Sequence, residues 1–152
     1  MTESEFKMKN PSELAFIGDA VYELLARETA CEGAGARLME LHRRAVGFVC
    51  AEAQADALER LLPLLSEEEA DIVRRGKNAH KTAAPRAVSP KDYRAATGLE
   101  ALFGYLYLAG RVPRTRELFS VIAAAAQGEW PISGGSATEN PRVGTLPAQD
   151  NS

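Results

Sequence analysis

The chain has 152 residues, of which 45% are hydrophobic and 26% charged, a composition that suits one soluble globular domain. No apolar run reaches the roughly 18 residues of a membrane span, and the polar N-terminus lacks a signal-peptide core, so we expect a cytoplasmic protein without membrane association. Cys31 and Cys50 cannot form a disulfide framework and match no zinc-site spacing. The net charge of −3 excludes a uniformly basic nucleic-acid binder, but it allows a local basic patch.

Helical signals begin at Asn10-Pro11-Ser12-Glu13, which has a capping residue, proline at the first helical position and an acid in the first turn. Apolar residues then recur at helical spacing and predict one buried face. They are Leu14, Ile17, Val21, Leu24 and Leu25. Gly33 and Gly35 end this first unit.

The later segments also read as helices. A long apolar-periodic segment covers residues 37–65, and a capping box at residues 66–69 opens a short helix. Residues 76–90 predict a loop, Ser89-Pro90 starts a helix that runs to Gly110, and Pro113 starts a last helix that ends near Gly128. No strand-like alternation persists, so we predict an all-α helical bundle.

We expect an extension at residues 1–9, one domain at residues 10–128 and a disordered tail at residues 129–152. The tail is rich in proline, glycine and serine.

Asp19 follows a glycine in the middle of the first helix. Gly18 costs a helix about 1 kcal/mol relative to alanine, and close approach of another backbone is the usual reason for such a residue. Glu23 lies one turn after Asp19 on the same face. The predicted apolar face is roughly opposite, so these two acids are either solvated or part of a site.

Glu100 stands inside the apolar stripe of its helix, between Ala96 and Phe103. A carboxylate in that place needs a cation, several hydrogen bonds or a proton, because its desolvation is expensive. One interpretation is a buried ion pair with an arginine such as Arg27 or Arg94. The other is a metal site shared with Asp19, in which hard oxygen ligands suit Mg²⁺.

Residues 74–94 carry seven basic side chains and one acid, although the whole chain is acidic. Such a loop is either a solvated segment or a surface that binds phosphates. Few aromatic residues accompany the charges, which disfavours base stacking on single strands and favours recognition of a duplex by its shape.

Residues 14–23, LAFIGDAVYE, resemble the signature helix of the ribonuclease III catalytic domain. LHRRAV at 41–46 with AQA at 53–55, and RGKNA at 75–79 with YRAATGLEALFGYLYL at 93–108, narrow the resemblance to mini-ribonuclease III. The resemblance covers residues 11–126. It implies the all-α endonuclease fold of that family, a homodimer, Mg²⁺ dependence and cleavage of double-stranded RNA. The implied substrate is precursor 23S ribosomal RNA, and ribosomal proteins or the assembling large subunit are further expected partners.

The resemblance also implies roles for individual residues. The family's metal-binding Asp and Glu fall on Asp19 and Glu100, whereas Ser12, Ala15 and Thr97 occupy places that hold acids in larger members, which leaves the number of metal ions open. On the basis of this resemblance we also hypothesise roles for residues that are not the metal-binding acids. Glu23 would orient a coordinated water, and Phe16 would anchor the dimer or else pack within its own subunit. The expected contacts to RNA phosphates are Lys77, Asn78, Lys81, Arg86 and Arg94. Because we expect no separate RNA-binding domain, the basic loop would supply more of the affinity.

Two other functions remain compatible with these residues. One is an RNA-binding or ribosome-assembly module of the same fold without chemistry, although such a binder has little use for Glu100 in an apolar stripe. The other is an all-α nucleotide pyrophosphohydrolase, which usually has denser acid clusters around Mg²⁺. Glu67-Glu68-Glu69 is better explained as a helix start, and His42 as a structural residue rather than a general base.

Overall fold

A computed structural model describes residues 2, 4–5, 9–33, 35–79 and 83–129. Its main elements are the α-helices α1 (Pro11–Ala30), α2 (Leu38–Val49), α3 (Ala51–Leu61), α4 (Glu67–Lys77), α5 (Pro90–Leu108) and α6 (Val112–Glu129). A short 3₁₀ helix, Leu62–Leu64, follows α3. The described residues contain no strand, which confirms the all-α prediction, and none of their helices is long and apolar enough to cross a membrane.

Helix α5 is the centre of the bundle. Every residue from Ala95 to Leu106 is buried except Glu100, which is half-buried. The helix packs against α1, α3, α4 and α6 and contributes Leu99, Leu102 and Phe103 to the core. The residues that surround Glu100 are therefore fixed by the best-packed part of the molecule.

Helices α1 and α5 cross with their backbones in contact. A methyl carbon built at Gly18 would lie 1.6 Å from the carbonyl oxygen of Glu100, and one at Gly104 would lie 1.9 Å from that of Leu14. Only glycine at both positions permits this approach, since any side chain would overlap the facing backbone. The prediction of a close approach at Gly18 is confirmed, and its partner is α5 of the same chain.

The buried face of α1 agrees in part with the predicted one, since Leu14 and Leu25 are buried as expected and Ile17 and Val21 are half-buried. It runs along Ala15, Gly18, Tyr22 and Ala26, while Leu24 is exposed. The small residues face α5 because the glycine crossing requires them there. The expectation of Leu24 in the core was therefore wrong, and Asp19 borders the buried face instead of opposing it.

The segment at residues 37–65 is not one continuous helix. Cys50 takes an extended backbone conformation, with φ −65° and ψ 149°, and separates α2 from α3. The chain turns there without glycine or proline. Gln54, Leu58 and Leu61 of α3 then share one buried face.

The helix starts agree with the sequence. Asn10, Ser66 and Ser89 accept hydrogen bonds from the first turns of α1, α4 and α5, and Ser66 forms the predicted capping box with Glu69. Glu69 also accepts from Arg114 of α6 at 2.9 Å, which ties the last helix to α4. Helix α4 continues to Lys77, so the predicted loop begins later than expected. The predicted tail beyond residue 129 lies outside the described residues.

Candidate functional site

Asp19 and Glu100 meet where α1 crosses α5. Asp19 follows the crossing glycine and is exposed, while Glu100 lies on the facing turn of α5. Burial, and then the negative charge of Asp19, raise the pKa of the Glu100 carboxyl to about 7. Gly18, next to Asp19, contacts the backbone of Glu100, so the two acids lie on adjoining turns of helices held together by backbone contact.

The alternative of a buried ion pair for Glu100 finds no support among the described residues. Arg27 pairs with Glu23 at 2.7 Å, and Arg94 is exposed. No basic group contributes to the pKa shift of Glu100, whose causes are burial, Asp19 and an opposing hydrogen bond from Gln54. Among the described residues, the carboxyl therefore has an acidic neighbour and no compensating cation.

Glu23 lies one turn from Asp19 but is engaged elsewhere. Its Oε1 accepts hydrogen bonds from Nε and Nη2 of Arg27, at 3.2 and 2.7 Å. This exposed pair along the helix contributes little to stability. Any action of Glu23 on a coordinated water would come from a carboxylate that also holds Arg27.

The donor chemistry of this pair fits a hard divalent cation. The described residues contain no group of three or more histidine, cysteine or acidic side chains arranged to hold a metal. Two carboxylates are nevertheless the usual protein contribution to a Mg²⁺ site, since this ion retains several waters. A divalent cation would also relieve the repulsion that raises the pKa of Glu100.

A basic surface continues from this site along α4 and the following loop. A methyl carbon at Gly98 would lie 2.7 Å from Cγ of Lys77, so the stem of Lys77 runs over α5 two residues before Glu100. Lys77, Asn78, Arg86 and Arg94 are all exposed. Lys81 lies outside the described residues.

Not all basic residues of this region are available to a ligand. Arg74 pairs with Asp71 at 2.5 Å, and Arg75 donates to the backbone oxygen of Lys9. Arg86, Tyr93 and Arg94 line a groove of about 420 Å³. Arg86 and Arg94 thus add exposed positive charge at the start of α5.

Phe16 lies on the solvent face of α1. Its side chain is 83% exposed, and Ala20 and Leu24 are exposed one and two turns further along. Packing of Phe16 within its own subunit is therefore excluded for the described residues. An apolar strip of this kind on a soluble protein usually marks a contact surface.

Two buried polar residues beside Glu100 escaped the sequence analysis. Gln54 lies near enough to Glu100 to lower the pKa of its carboxyl, although its Nε2 has no hydrogen-bond partner of standard geometry among the described residues. The negative charge of Glu100 contributes to raising the pKa of Tyr22, after burial and Cys50. A signal for Gln54 was present, since it shares the helical spacing of Leu58 and Leu61 and is a polar residue on an apolar face. His42, by contrast, lies exposed on α2.

Comparison with known proteins gives one consistent family. Residues 12–111 match the ribonuclease III domain. A protein named mini-ribonuclease 3 from Symbiobacterium thermophilum is 48% identical over 113 residues, which cover 74% of this chain and 87% of that protein. The mini-ribonuclease 3 of Brevibacillus brevis is 40% identical over 122 residues, covering 80% and 91% of the two chains.

A solved structure agrees with these sequence relatives. The crystal structure of a Fusobacterium nucleatum protein superposes with a TM-score of 0.67 at 30% identity, covering 81% of this chain and 96% of that one. Asp19, Glu100 and the glycines of the helix crossing all fall inside the matched residues 12–111.

Proposed function

Because this chain belongs to the ribonuclease III family and is an endoribonuclease of the mini-ribonuclease 3 type, we propose that it hydrolyses double-stranded RNA with a Mg²⁺ held by Asp19 and Glu100. The observation that carries the proposal is the pairing of these carboxylates at the helix crossing, with the pKa of Glu100 raised by burial and by Asp19. A divalent cation is the partner that such a pair lacks.

The residues of the chain divide the work of the reaction. Asp19 and Glu100 would hold the ion, which when bound would supply an acidified water and neutralise charge at the scissile phosphate. Glu23, one turn from Asp19, would orient a water molecule. Attack of water on phosphorus would form a P–O bond while the bond from phosphorus to the 3′-oxygen breaks. The proton lost by the water goes to solvent and the departing 3′-oxygen takes one up, which leaves a 5′-phosphate and a 3′-hydroxyl without a serine or cysteine nucleophile.

The basic surface of α4 and the following loop binds the substrate. Lys77, Asn78, Arg86 and Arg94 are exposed beside α5, and with Lys81 they contact phosphates of the duplex. These contacts give affinity without reading sequence, because phosphates carry none. Precursor 23S ribosomal RNA is the substrate that we propose, within or beside the assembling large subunit.

A homodimer completes the proposal. One subunit has one acidic pair, whereas a duplex has two strands, and a twofold axis would present two such pairs to one groove. The exposed strip of Phe16, Ala20 and Leu24 supports α1 as the contact surface, with Phe16 as its anchor.

The deciding experiment is cleavage of a duplex RNA by wild type, Asp19→Asn and Glu100→Gln in Mg²⁺. Both variants should lose at least about 10³-fold in rate, because metal catalysis contributes several kcal/mol to transition-state stabilisation. RNA binding should remain close to wild type. Glu32→Gln, which removes the same charge from an exposed position after α1, serves as the matched control.

Either variant cutting near the wild-type rate would refute the metal site. A wild type that binds duplex RNA and never cuts it would instead support the non-catalytic binding module. Sequencing the 23S ribosomal RNA ends that accumulate when the protein is missing tests the substrate.

A further inference from the structure

Two buried hydrogen-bond donors lie under the acidic pair. Tyr22 has no exposed surface, Gln54 is 2% exposed, and neither Tyr22 Oη nor Gln54 Nε2 has a hydrogen-bond partner of standard geometry among the described residues. A buried donor without a partner is costly because it has given up its hydrogen bonds to water, so both donors call for an explanation.

Both donors border the same carboxyl group. The charge of Glu100 acts on Tyr22, and Gln54 is near enough to Glu100 to counter in part the effects of burial and of Asp19 on its pKa. The contact of Gln54 with Glu100 falls short of standard geometry, as contacts of catalytic groups often do before substrate binds. Because α3 packs against α5 and the amide is buried without another partner, a small approach of the two groups would complete the hydrogen bond.

The elements that carry these groups are rigid. Tyr22 packs edge-on against Phe103 and Phe119, each with ring centroids 5.2 Å away. Gln54 is fixed on α3, whose buried face continues through Leu58 and Leu61 into the core. A donor on such a frame can hold a carboxylate in one orientation.

We propose that Gln54 is a positioning residue, whose Nε2 donates to one oxygen of Glu100 and so fixes the orientation of a carboxylate that would hold the ion together with Asp19. This inference rests on the proposed function, since it assigns the group that orients one of the two ligands. Outer hydrogen bonds of this kind set the direction of a ligating side chain, and their loss typically reduces metal affinity or activity by 10–100-fold.

A purely structural role makes a different prediction. If Gln54 only filled space, an apolar residue of similar length would serve as well or better, because it removes the desolvated amide. Gln54→Met keeps the volume and removes the donor. Gln54→Asn keeps the amide but withdraws it from Glu100 by one methylene.

The test measures Mn²⁺ binding to the RNA-free protein by electron paramagnetic resonance, and the Mg²⁺ dependence of duplex cleavage. For each variant of Gln54 we expect Mn²⁺ affinity and cleavage rate to fall about 10–100-fold while cooperative unfolding is retained. Thr115→Val is the control, since Thr115 is also buried but its hydroxyl donates to Val112 of α6. It should bind Mn²⁺ as wild type does.

Either variant that unfolds cooperatively and keeps wild-type Mn²⁺ affinity and cleavage overturns the role of Gln54. Loss of cooperative unfolding in both variants would also overturn it, because the amide would then serve the fold. If wild type binds Mn²⁺ but cuts no duplex, the proposed function fails while the binding measurement still decides the role of Gln54. If Asp19→Asn abolishes cleavage and Gln54→Met changes nothing, only the positioning role falls.

Discussion

The surroundings of Glu100 disfavour the ionised form of its carboxyl group. Burial and the neighbouring charge of Asp19 raise its pKa from 4.5 to about 7, and nearby Gln54 opposes them only in part. Between these two pH values the folded protein binds more protons than the unfolded chain, so this group makes stability fall as the pH rises. The site thus costs the protein stability at the pH where it would work.

Replacing this carboxyl should therefore stabilise the protein. We expect Glu100→Gln to raise the free energy of unfolding by about 1–3 kcal/mol at pH 8, and the gain to disappear near pH 4.5, where wild-type Glu100 is protonated in the folded state. Denaturant unfolding at both pH values measures this. Glu23→Gln, which only loses the exposed partner of Arg27, should show no gain. An equal gain at both pH values would contradict the proposed cause.

Single residues were predictable where their chemistry conflicted with their position. Glu100 stood out because it interrupted an apolar stripe, and the structure leaves it without a cation among the described residues. Gln54 met the same criterion and was missed. Leu24 was assigned to the core because spacing alone cannot show that small residues, rather than large ones, face the neighbouring helix. That choice depends on the contact between two helices far apart in sequence.

The crossing of α1 and α5 joins the two halves of the site. Gly18 faces the backbone of Glu100, and Gly104 faces that of Leu14. The separation of the helix axes, and with it the separation of the two carboxylates, depends on the absence of side chains at both positions.

Gly18→Ala should therefore damage fold and site together. The added methyl group would overlap the carbonyl of Glu100, and we expect a loss of about 3 kcal/mol, at the upper end of the usual cost of overpacking. Thermal unfolding and duplex cleavage measure the two effects. Gly47→Ala, at an exposed position inside α2, should instead stabilise by about 0.5–1 kcal/mol through helix propensity. A Gly18→Ala protein with wild-type stability would disprove the close contact.

The basic surface of α4 and the loop after it makes a separate prediction. Lys77→Ala with Arg86→Ala should reduce the slope of log affinity for duplex RNA against log salt by about two, because each phosphate contact contributes roughly one. Binding measured over a range of salt concentrations tests this. Arg116→Ala is the control, since Arg116 already pairs with Glu28 at 2.7 Å. An unchanged slope would remove these residues from RNA binding.

Element boundaries were predictable where capping residues mark them. The starts of α1, α4 and α5 follow from Asn10, Ser66 and Ser89, whose side chains accept the expected hydrogen bonds. The break at Cys50 was not predictable, because neither glycine nor proline marks it and apolar spacing continues on both sides. The turn there is set by packing of α3 on α5, which local propensity does not encode.

At the scale of the whole molecule, the exposed strip on α1 is the feature that one chain does not explain. Phe16 is 83% exposed, and Leu24 on the same face is 56% exposed. Burying both against a second copy would remove a large apolar area from water and would bring two acidic pairs into one assembly.

Phe16→Glu should therefore yield a monomer. A charge in the centre of the contact would stay desolvated and unpaired, which costs several kcal/mol of association energy. Analytical ultracentrifugation measures the mass in solution, and duplex cleavage should fall with the dimer. Met39→Glu, which alters an equally exposed apolar residue on α2, distinguishes this site from general surface hydrophobicity. A dimeric Phe16→Glu protein would contradict the proposed interface.

The burial of α5 determines how loss of activity on heating relates to unfolding of the whole protein. Many enzymes lose activity early, when a mobile loop that carries the reactive groups melts before the rest. Here one proposed ligand, Glu100, belongs to the most buried helix of the bundle, and the other, Asp19, belongs to the helix that crosses it. The amides around residue 100 should be among the slowest to exchange with deuterium. Inactivation and global melting should then coincide in a single transition.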